Sequence, residues 1–289
     1  MSTEQIWEDF ISLNSFSDFS FEVLEPAIAY SKQDPEIHLS NYTSEESLSD
    51  FIAKDHYPLP STKDREGYFG NSHYSYWLSG LRDYLILKSI LKDNDVPLSS
   101  CLDLGCASGR VIRHFGVQDT DIDVWGSDIN YKHICWVQKY LPSHIKIFQN
   151  SSIPYIPLPD NSLDLVTAYS IFTHVESFDL AWMAEIRRIL RPGGIAYITA
   201  LTDFSLRNLN NKIPVYKSLK NHKDFSEDLI EKPMNKDKYI FRYRNFGSYS
   251  SVVFLNTEYI SNAWSRMFKI IDIKRQFPGF QDAVIMQKI

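Results

Sequence analysis

The sequence predicts an α/β fold, and three stretches carry that prediction. Cys101-Leu-Asp-Leu-Gly-Cys-Ala-Ser-Gly-Arg110 is an apolar strand that runs through an acid into a glycine-punctuated turn and the start of a helix. Asp123-Val-Trp-Gly-Ser-Asp128 reads as a second strand, again ending in an acid. Leu163 to Ala168 reads as a buried strand, followed by a helix from about Asp179 to Leu190 and a strand from Ile195 to Leu201. Strands that alternate with helical patterns imply a sheet with helices packed on it.

The first turn is the most informative. Glycine has no Cβ and tolerates left-handed backbone, so a cofactor can approach this turn closely. The helix that follows, with Val111, Ile112 and Phe115 as its buried stripe, aims its free N–H groups at the turn. Only Leu104 separates Asp103 from the first glycine. A carboxylate there repels a pyrophosphate but suits a ligand that carries an amino group. Asp128 follows 25 residues later, at the end of the second strand. That place suits an acid that accepts hydrogen bonds from both ribose hydroxyls. One acid for an ammonium group and one for a ribose describe S-adenosylmethionine better than NAD. Gly105-x-Ala107-x-Gly109 also lacks the Gly-x-Gly-x-x-Gly spacing of dinucleotide sites. Taken alone, the stretch leaves open a glycine-rich turn in an unrelated α/β domain.

The following elements narrow the choice. Pro157-Leu-Pro-Asp-Asn-Ser162 is a polar turn leading into the strand from Leu163. In the next helix Leu180, Met183, Ile186 and Leu190 recur at helical spacing; Ser177 is its expected N-cap, and Asp179 sits favourably in the first turn. Arg191-Pro-Gly-Gly194 stops it, because proline cannot continue a helix and glycine suits the exit.

On these residues the chain resembles the class I S-adenosylmethionine-dependent methyltransferases, in the broad group that methylates small molecules and glycans. The Asp103-x-Gly105 turn resembles that family's first motif and Asp128 its second. Pro157 to Val166 resembles its fourth strand with the preceding turn, and Leu190-Arg-Pro-Gly-Gly194 its post-helix turn. The resemblance covers roughly residues 99–201, with looser similarity from Tyr249 onward. It implies a Rossmann-like, doubly wound seven-stranded sheet with an antiparallel edge strand. It also implies a helical N-terminal cap over residues 1–98, ahead of a methyltransferase domain over 99–289 with a lid inserted at about 202–247.

The resemblance assigns the cofactor as well. Asp103 and the turn of Gly105, Ala107 and Gly109 would hold the amino acid part of S-adenosyl-L-methionine, and Asp128 the ribose. Ile129 would pack on the adenine, with Asn150, Ser151 and Ser152 at its edge. Ala107 stands where the family often has glycine; alanine is the smallest replacement, so cofactor binding is expected to survive. The residues after the fourth strand face the methyl group in this fold: Tyr169, counted with the cofactor-binding set, then Ser170, Thr173 and His174. His174 is the best-suited general base, since its ordinary pKa lies near working pH. Its competing role is to cap or pack the loop.

Composition sets further bounds. With 289 residues and 44% hydrophobic content, the chain can bury a full core, and one domain with appendages is expected. A formal net charge of −6 argues against a general nucleic-acid binder. Cys101, Cys106 and Cys135 lack metal-ligand spacing, which points to a reduced, cytoplasmic protein with no metal. Met1-Ser-Thr-Glu-Gln-Ile-Trp-Glu-Asp lacks the apolar core of a secretory signal, and no apolar run is long enough to span a membrane. Nothing in the chain sets an oligomeric state.

Both appendages have their own patterns. Ser2-x-x-Gln5 and Thr43-x-x-Glu46 have capping-box spacing. Over residues 71–91, Tyr74, Trp77, Leu78, Leu81 and Leu85 form an apolar helical stripe. Through Glu66 there are fourteen acids against four bases, whereas residues 202–247 hold ten bases against six acids. The two could close as complementary halves of a lid, or each could simply be solvated. Near the end, Thr257 is the expected cap of a helix carrying Ile260, Ala263, Trp264, Met267 and Phe268 on one face. Lys269 to Lys274 and Asp282 to Lys288 read as strands joined by the turn Phe277-Pro-Gly-Phe280.

The acceptor is bounded mainly by absence. The Asn/Asp-Pro-Pro-aromatic motif of base amino methyltransferases, the Pro-Cys nucleophile used on pyrimidine carbon, the paired-glutamate loop of arginine methyltransferases and a catechol-type magnesium set are all missing from the sequence. A small-molecule or carbohydrate hydroxyl is the favoured acceptor. Nitrogen or carbon acceptors, or a non-catalytic cofactor-binding protein, are the alternatives. In Tyr239-Ile-Phe-Arg-Tyr-Arg-Asn-Phe246, alternation places Tyr239, Phe241 and Tyr243 on one face and Arg242 and Arg244 on the other. Such aromatics stack on a ring, and such arginines clamp a carboxylate or phosphate, unless the strand is an ordinary lid packed on its own core.

Overall fold

The computed structural model describes residues 19–24, 48–243 and 250–289. The expected capping boxes at Ser2 and Thr43, and Arg244 with Phe246, lie outside the described residues. The chain divides into two compact units, one ending at Asn150 and one beginning at Ser151 apart from residues 1–11.

In the first unit, a short antiparallel pair joins β1 (Val23–Leu24) to β2 (Leu59–Pro60). Three parallel strands follow in the order β3 (Ser100–Leu104), β4 (Asp123–Asp128) and β5 (Lys146–Gln149). Parallel neighbours need long crossovers, and the helices Ile112–Gln118 and Tyr131–Tyr140 supply them. Every residue of β3 is buried, as expected for a strand covered on both faces. Val111, Ile112 and Phe115 are buried as expected.

The long helix His73–Asp93 packs on the helix Ile112–Gln118 more closely than its apolar stripe suggested. Trp77, Leu78 and Leu81 are buried, but Leu85 is only half-buried, because burial extends round to Tyr84, Ile86 and Leu87. A Cβ on Gly80 would lie 1.9 Å from the Arg110 carbonyl oxygen, so only glycine permits this approach. Beside it, the Arg113 guanidinium grips the Asp55 carboxylate at 2.9 and 2.8 Å and donates to the carbonyls of Tyr57 and Pro58. Both side chains are fully buried. Trp77 Nε1 donates to the same carboxylate at 2.7 Å.

His114 lies in this contact as well. Its Nε2 meets the Trp77 carbonyl at 3.0 Å, and a carbonyl only accepts, so Nε2 carries the proton. Its buried Nδ1 has no hydrogen-bond partner among the described residues. Burial pushes its pKa down to about 3 from an ordinary 6.5. The unfolded chain therefore takes up this proton first, and stability falls as pH drops from 6.5 towards 3. At pH 5 the loss from this group is about 2 kcal/mol relative to pH 7. Urea unfolding at the two pH values should show His114→Gln losing that much less on acidification. An unchanged pH difference in the variant would remove His114 as the cause.

The second unit holds β6 (Leu163–Ala168) and β7 (Leu190–Thr202) in parallel. A hairpin, β8 (Lys238–Arg242) with β9 (Ser251–Leu255), joins β7 through Leu201 and Thr202. The closing strands are β10 (Lys269–Lys274) and β11 (Asp282–Gln287). β11 runs antiparallel to both β7 and β10 and lies between them, one position in from the edge. Arg191-Pro-Gly-Gly194 is looped out between paired residues: pairing passes from Leu163/Leu190 to Leu165/Ile195, with Gly193 at φ 84°. Three parallel strands in the first unit and β6, β7, β10 and β11 in the second supply the seven strands of a Rossmann-like α/β fold.

Two expected caps move by one residue. The helix Asp179–Ile189 starts after Phe178, which is left-handed at φ 62°, rather than after Ser177. Asp179 is pulled inward instead, accepting from Lys238 Nζ at 2.5 Å and Tyr259 Oη at 2.7 Å. The later helix Thr257–Ala263 is capped by Asn256, whose side chain accepts from Glu258 N at 2.8 Å. The Thr257 hydroxyl is occupied by the Asp203 carboxylate.

The segment after β7 and the hairpin build their own small core around Leu206, Tyr216, Leu219, Phe241 and Phe254. Tyr239 and Tyr243 pack against that core. Many appendage charges are paired within their own unit: Arg207 with Asp203, Lys232 with Asp228, Arg242 with Glu176, Lys132 with Asp64. Among the described residues no helix is long and apolar enough to cross a membrane.

Candidate cofactor site

The turn after β3 is tied to the end of β4. The backbone N–H groups of Gly105 and Cys106 both donate to the Ser127 carbonyl, at 2.7 and 2.9 Å. Alternate residues are left-handed: Gly105 at φ 74°, Ala107 at 47° and Gly109 at 84°. Gly109 is also sterically required, since a Cβ there would lie 2.6 Å from Leu141 Cδ1. Ala107 is the one member with a Cβ to strain, a cost of about 1–2 kcal/mol in this region. Ala107→Gly should therefore stabilise the protein by about 0.5–1 kcal/mol, after allowing for glycine's greater freedom in the unfolded chain. Thermal melts read this as a rise of a few degrees; a fall would show that Ala107 is unstrained.

Asp128 closes the other side of the turn. Its Oδ2 accepts from Ala107 N at 2.9 Å and its Oδ1 from Asn130 N at 2.8 Å. Asn150 N reaches the Asp128 carbonyl at 3.2 Å, and Gln149 Nε2 the Ile129 carbonyl at 2.9 Å. Burial pushes the Asp128 carboxyl above its usual range, although His133 and the two amides pull the other way. An ionised carboxylate has about four acceptor positions, so two backbone bonds leave capacity for a diol. Asp103, 5% exposed, pairs with Gly126 across β3 and β4. These residues fit the cofactor expected from the sequence: a left-handed turn, one acid at its start and one acid with acceptor capacity at its far side.

A segment of the N-terminal region straps this turn, which sequence reasoning missed. Ser108 Oγ donates to the Asp64 carbonyl, and Tyr76 Oη donates to the Ser108 carbonyl at 3.3 Å. His133 links Ser108 Oγ, 3.0 Å from Nδ1, to Glu66, 3.1 Å from Nε2, and Asn130 Nδ2 donates to Glu66 at 2.9 Å. The His133 hydrogen bond holds the Glu66 carboxyl below its usual range. No local pattern signals this strap, because its contacts join residues 25 to 67 positions apart.

The remaining expected residues lie in the second unit. Ser151 Oγ accepts from Ile153 N at 3.2 Å, and Ser152 is half-buried beside it. Tyr169 packs on Tyr197, with centroids 5.3 Å apart. His174 Nδ1 meets the Ser251 carbonyl at 2.6 Å, and Ser251 Oγ donates to the His174 carbonyl at 3.2 Å. Because that carbonyl only accepts, Nδ1 carries a proton. The arginine clamp expected of Arg242 is occupied by Glu176, and Phe241 is buried.

Sequence comparison finds a match over the stretch that holds the acid-flanked left-handed turn. Residues 102–198 match the family model described as a methyltransferase domain. Over residues 102–198 the chain is thus similar to S-adenosyl-L-methionine-dependent methyltransferases. It is similar to a sterol 24-C-methyltransferase of Gibberella zeae, 30% identical over 113 residues, which are 37% of this chain and 29% of that protein. Among solved structures, it is similar to a methyltransferase from Methanosarcina mazei (15% identity, 68% of this chain and 97% of that one, TM-score 0.47). A protein from Pyrococcus horikoshii is similar at 16% identity, over 76% of this chain and 93% of that one, with a TM-score of 0.49.

Proposed function

We propose that the chain is an S-adenosylmethionine-dependent methyltransferase that methylates an oxygen of a small molecule or sugar acceptor. The observation that carries this reading is the turn from Gly105 to Gly109, with Asp103 before it and Asp128 bonded to its centre. Asp103 and the turn would hold the amino acid part of the cofactor, Asp128 the ribose, and Ile129, Asn150, Ser151 and Ser152 the adenine. Tyr169 would border the methyl group. The cofactor, when bound, supplies a methyl group activated on a sulfonium.

The remaining work is positioning and proton removal. His174, held by the Ser251 carbonyl, takes the acceptor's hydroxyl proton on Nε2 while the oxygen gains the methyl group. Residues 1–98 act as a cap and about 202–247 as a lid over a domain of 99–289. The experiment is methyl incorporation from labelled S-adenosylmethionine into a panel of sugars, glycolipids and phenols, with the product linkage read by mass spectrometry. Oxygen-linked product supports the reading, and carbon-linked product replaces it. The similarity to a sterol 24-C-methyltransferase gives the carbon-acceptor reading its one specific support.

A further inference from the structure

The second unit contains a polar relay that ends at Ser170. This serine lies two residues past the carboxyl end of β6, the end at which open α/β sheets bind ligands. It is left-handed, at φ 60°, which is uncommon for serine and is held in place from several sides. Its backbone N–H donates to Thr199 Oγ1 at 2.7 Å, and its carbonyl accepts from Thr173 Oγ1 at 2.5 Å. Gln281 bridges the two hydroxyls, with Oε1 2.6 Å from Thr199 Oγ1 and Nε2 2.7 Å from Ser170 Oγ.

Counting donors fixes the direction of this relay. The Thr199 hydroxyl accepts from the Ser170 N–H and has one proton to give. The 2.6 Å contact suits O–H···O rather than N–H···O, so that proton goes to Gln281 Oε1. The amide nitrogen of Gln281 therefore donates to Ser170 Oγ. Ser170 keeps its own proton to give, and no described residue takes it. Four positions on, His174 is held by the Ser251 carbonyl through Nδ1.

We propose that Ser170 determines acceptor specificity by donating its hydroxyl proton to the reacting atom, with Thr199 and Gln281 as positioning residues. The inference rests on the proposed methyl transfer to oxygen. A hydroxyl oxygen has two lone pairs, so one accepts from Ser170 while the other attacks, and its proton goes to His174. A neutral amine has one lone pair and cannot do both. An alkene carbon has none. The relay thus selects an oxygen acceptor.

The polarity can be read without knowing the acceptor. In a Cys135→Ser background, Ser170→Cys puts a thiol where Gln281 donates, and Cys101 and Cys106 are buried with their thiols pushed up by that burial. Donation to the thiolate favours it, so the introduced thiol should titrate below the ordinary value of about 8.5. Adding Gln281→Leu should slow its alkylation by iodoacetamide at pH 7 about tenfold. Thr199→Val, which removes the proton that pins the amide, should slow it in the same sense and serves if Gln281→Leu does not fold. A rate unchanged by both substitutions, or a thiol that does not react in the folded protein, overturns the proposal. S-adenosylhomocysteine calorimetry on the same variants separates the two ideas: intact binding with an unchanged rate sinks only the relay. Absent binding with the expected rate change sinks the methyltransferase reading, and with it the acceptor role of Ser170, while leaving the polarity of the relay standing.

Discussion

Arg113→Met is expected to destabilise the protein by about 3–5 kcal/mol, which urea unfolding at neutral pH will measure. The reason is the partner left behind. Asp55 is fully buried, and its two carboxylate oxygens face the guanidinium and the Trp77 indole N–H. Burial works against its charge, yet the Arg113 ion pair and hydrogen bonds hold its carboxyl below the usual range. The pair therefore stabilises the fold above the unfolded value of 3.8, and that contribution is lost as pH falls through the lower folded value. Without Arg113 the carboxylate must stay charged without its guanidinium or take up a proton, and the carbonyls of Tyr57 and Pro58 lose this donor. Arg113→Met with Asp55→Leu should recover much of the loss, because a well-packed apolar pair replaces a buried ion pair at little cost. A loss below about 1 kcal/mol for Arg113→Met alone would mean that water reaches Asp55.

His174→Ala is expected to lower kcat about 100-fold or more with the acceptor that the screen identifies, while affinity for S-adenosylhomocysteine stays unchanged. The split follows from the assigned role. His174 is anchored to Ser251 through Nδ1 and the backbone, which fixes the tautomer without any part in cofactor binding. Equal turnover in wild type and variant would leave His174 as a residue that ties its loop to β9.

The chain reveals its sheet more readily than its loops. Periodicity and turn residues placed β3, β4, β6, β7, β10 and β11, because each is an apolar run bounded by glycine, proline or acidic turns. The glycine turn between Asp103 and Asp128 was legible for the same reason: it follows a strand end, where local pattern is strong. The displaced caps show the limit of that reasoning. Ser177 and Thr257 have the right chemistry, but tertiary partners at Asp179 and Asp203 decide where the helices start. The Glu66–His133 strap, the Arg113–Asp55 pair and the Ser170 relay were not legible at all. Each joins residues far apart in the chain, and side-chain chemistry alone does not say which acid meets which base.

The central claim is that the turn of Gly105 to Gly109 and Asp128 bind the methyl-donor cofactor. Calorimetry of S-adenosylhomocysteine with the wild-type chain and Asp128→Ala, with NAD as control, tests it most directly. The account predicts micromolar binding to wild type, affinity weaker by about 1–3 kcal/mol in Asp128→Ala, and no binding of NAD. Absence of S-adenosylhomocysteine binding, or binding that ignores the loss of Asp128, would contradict it.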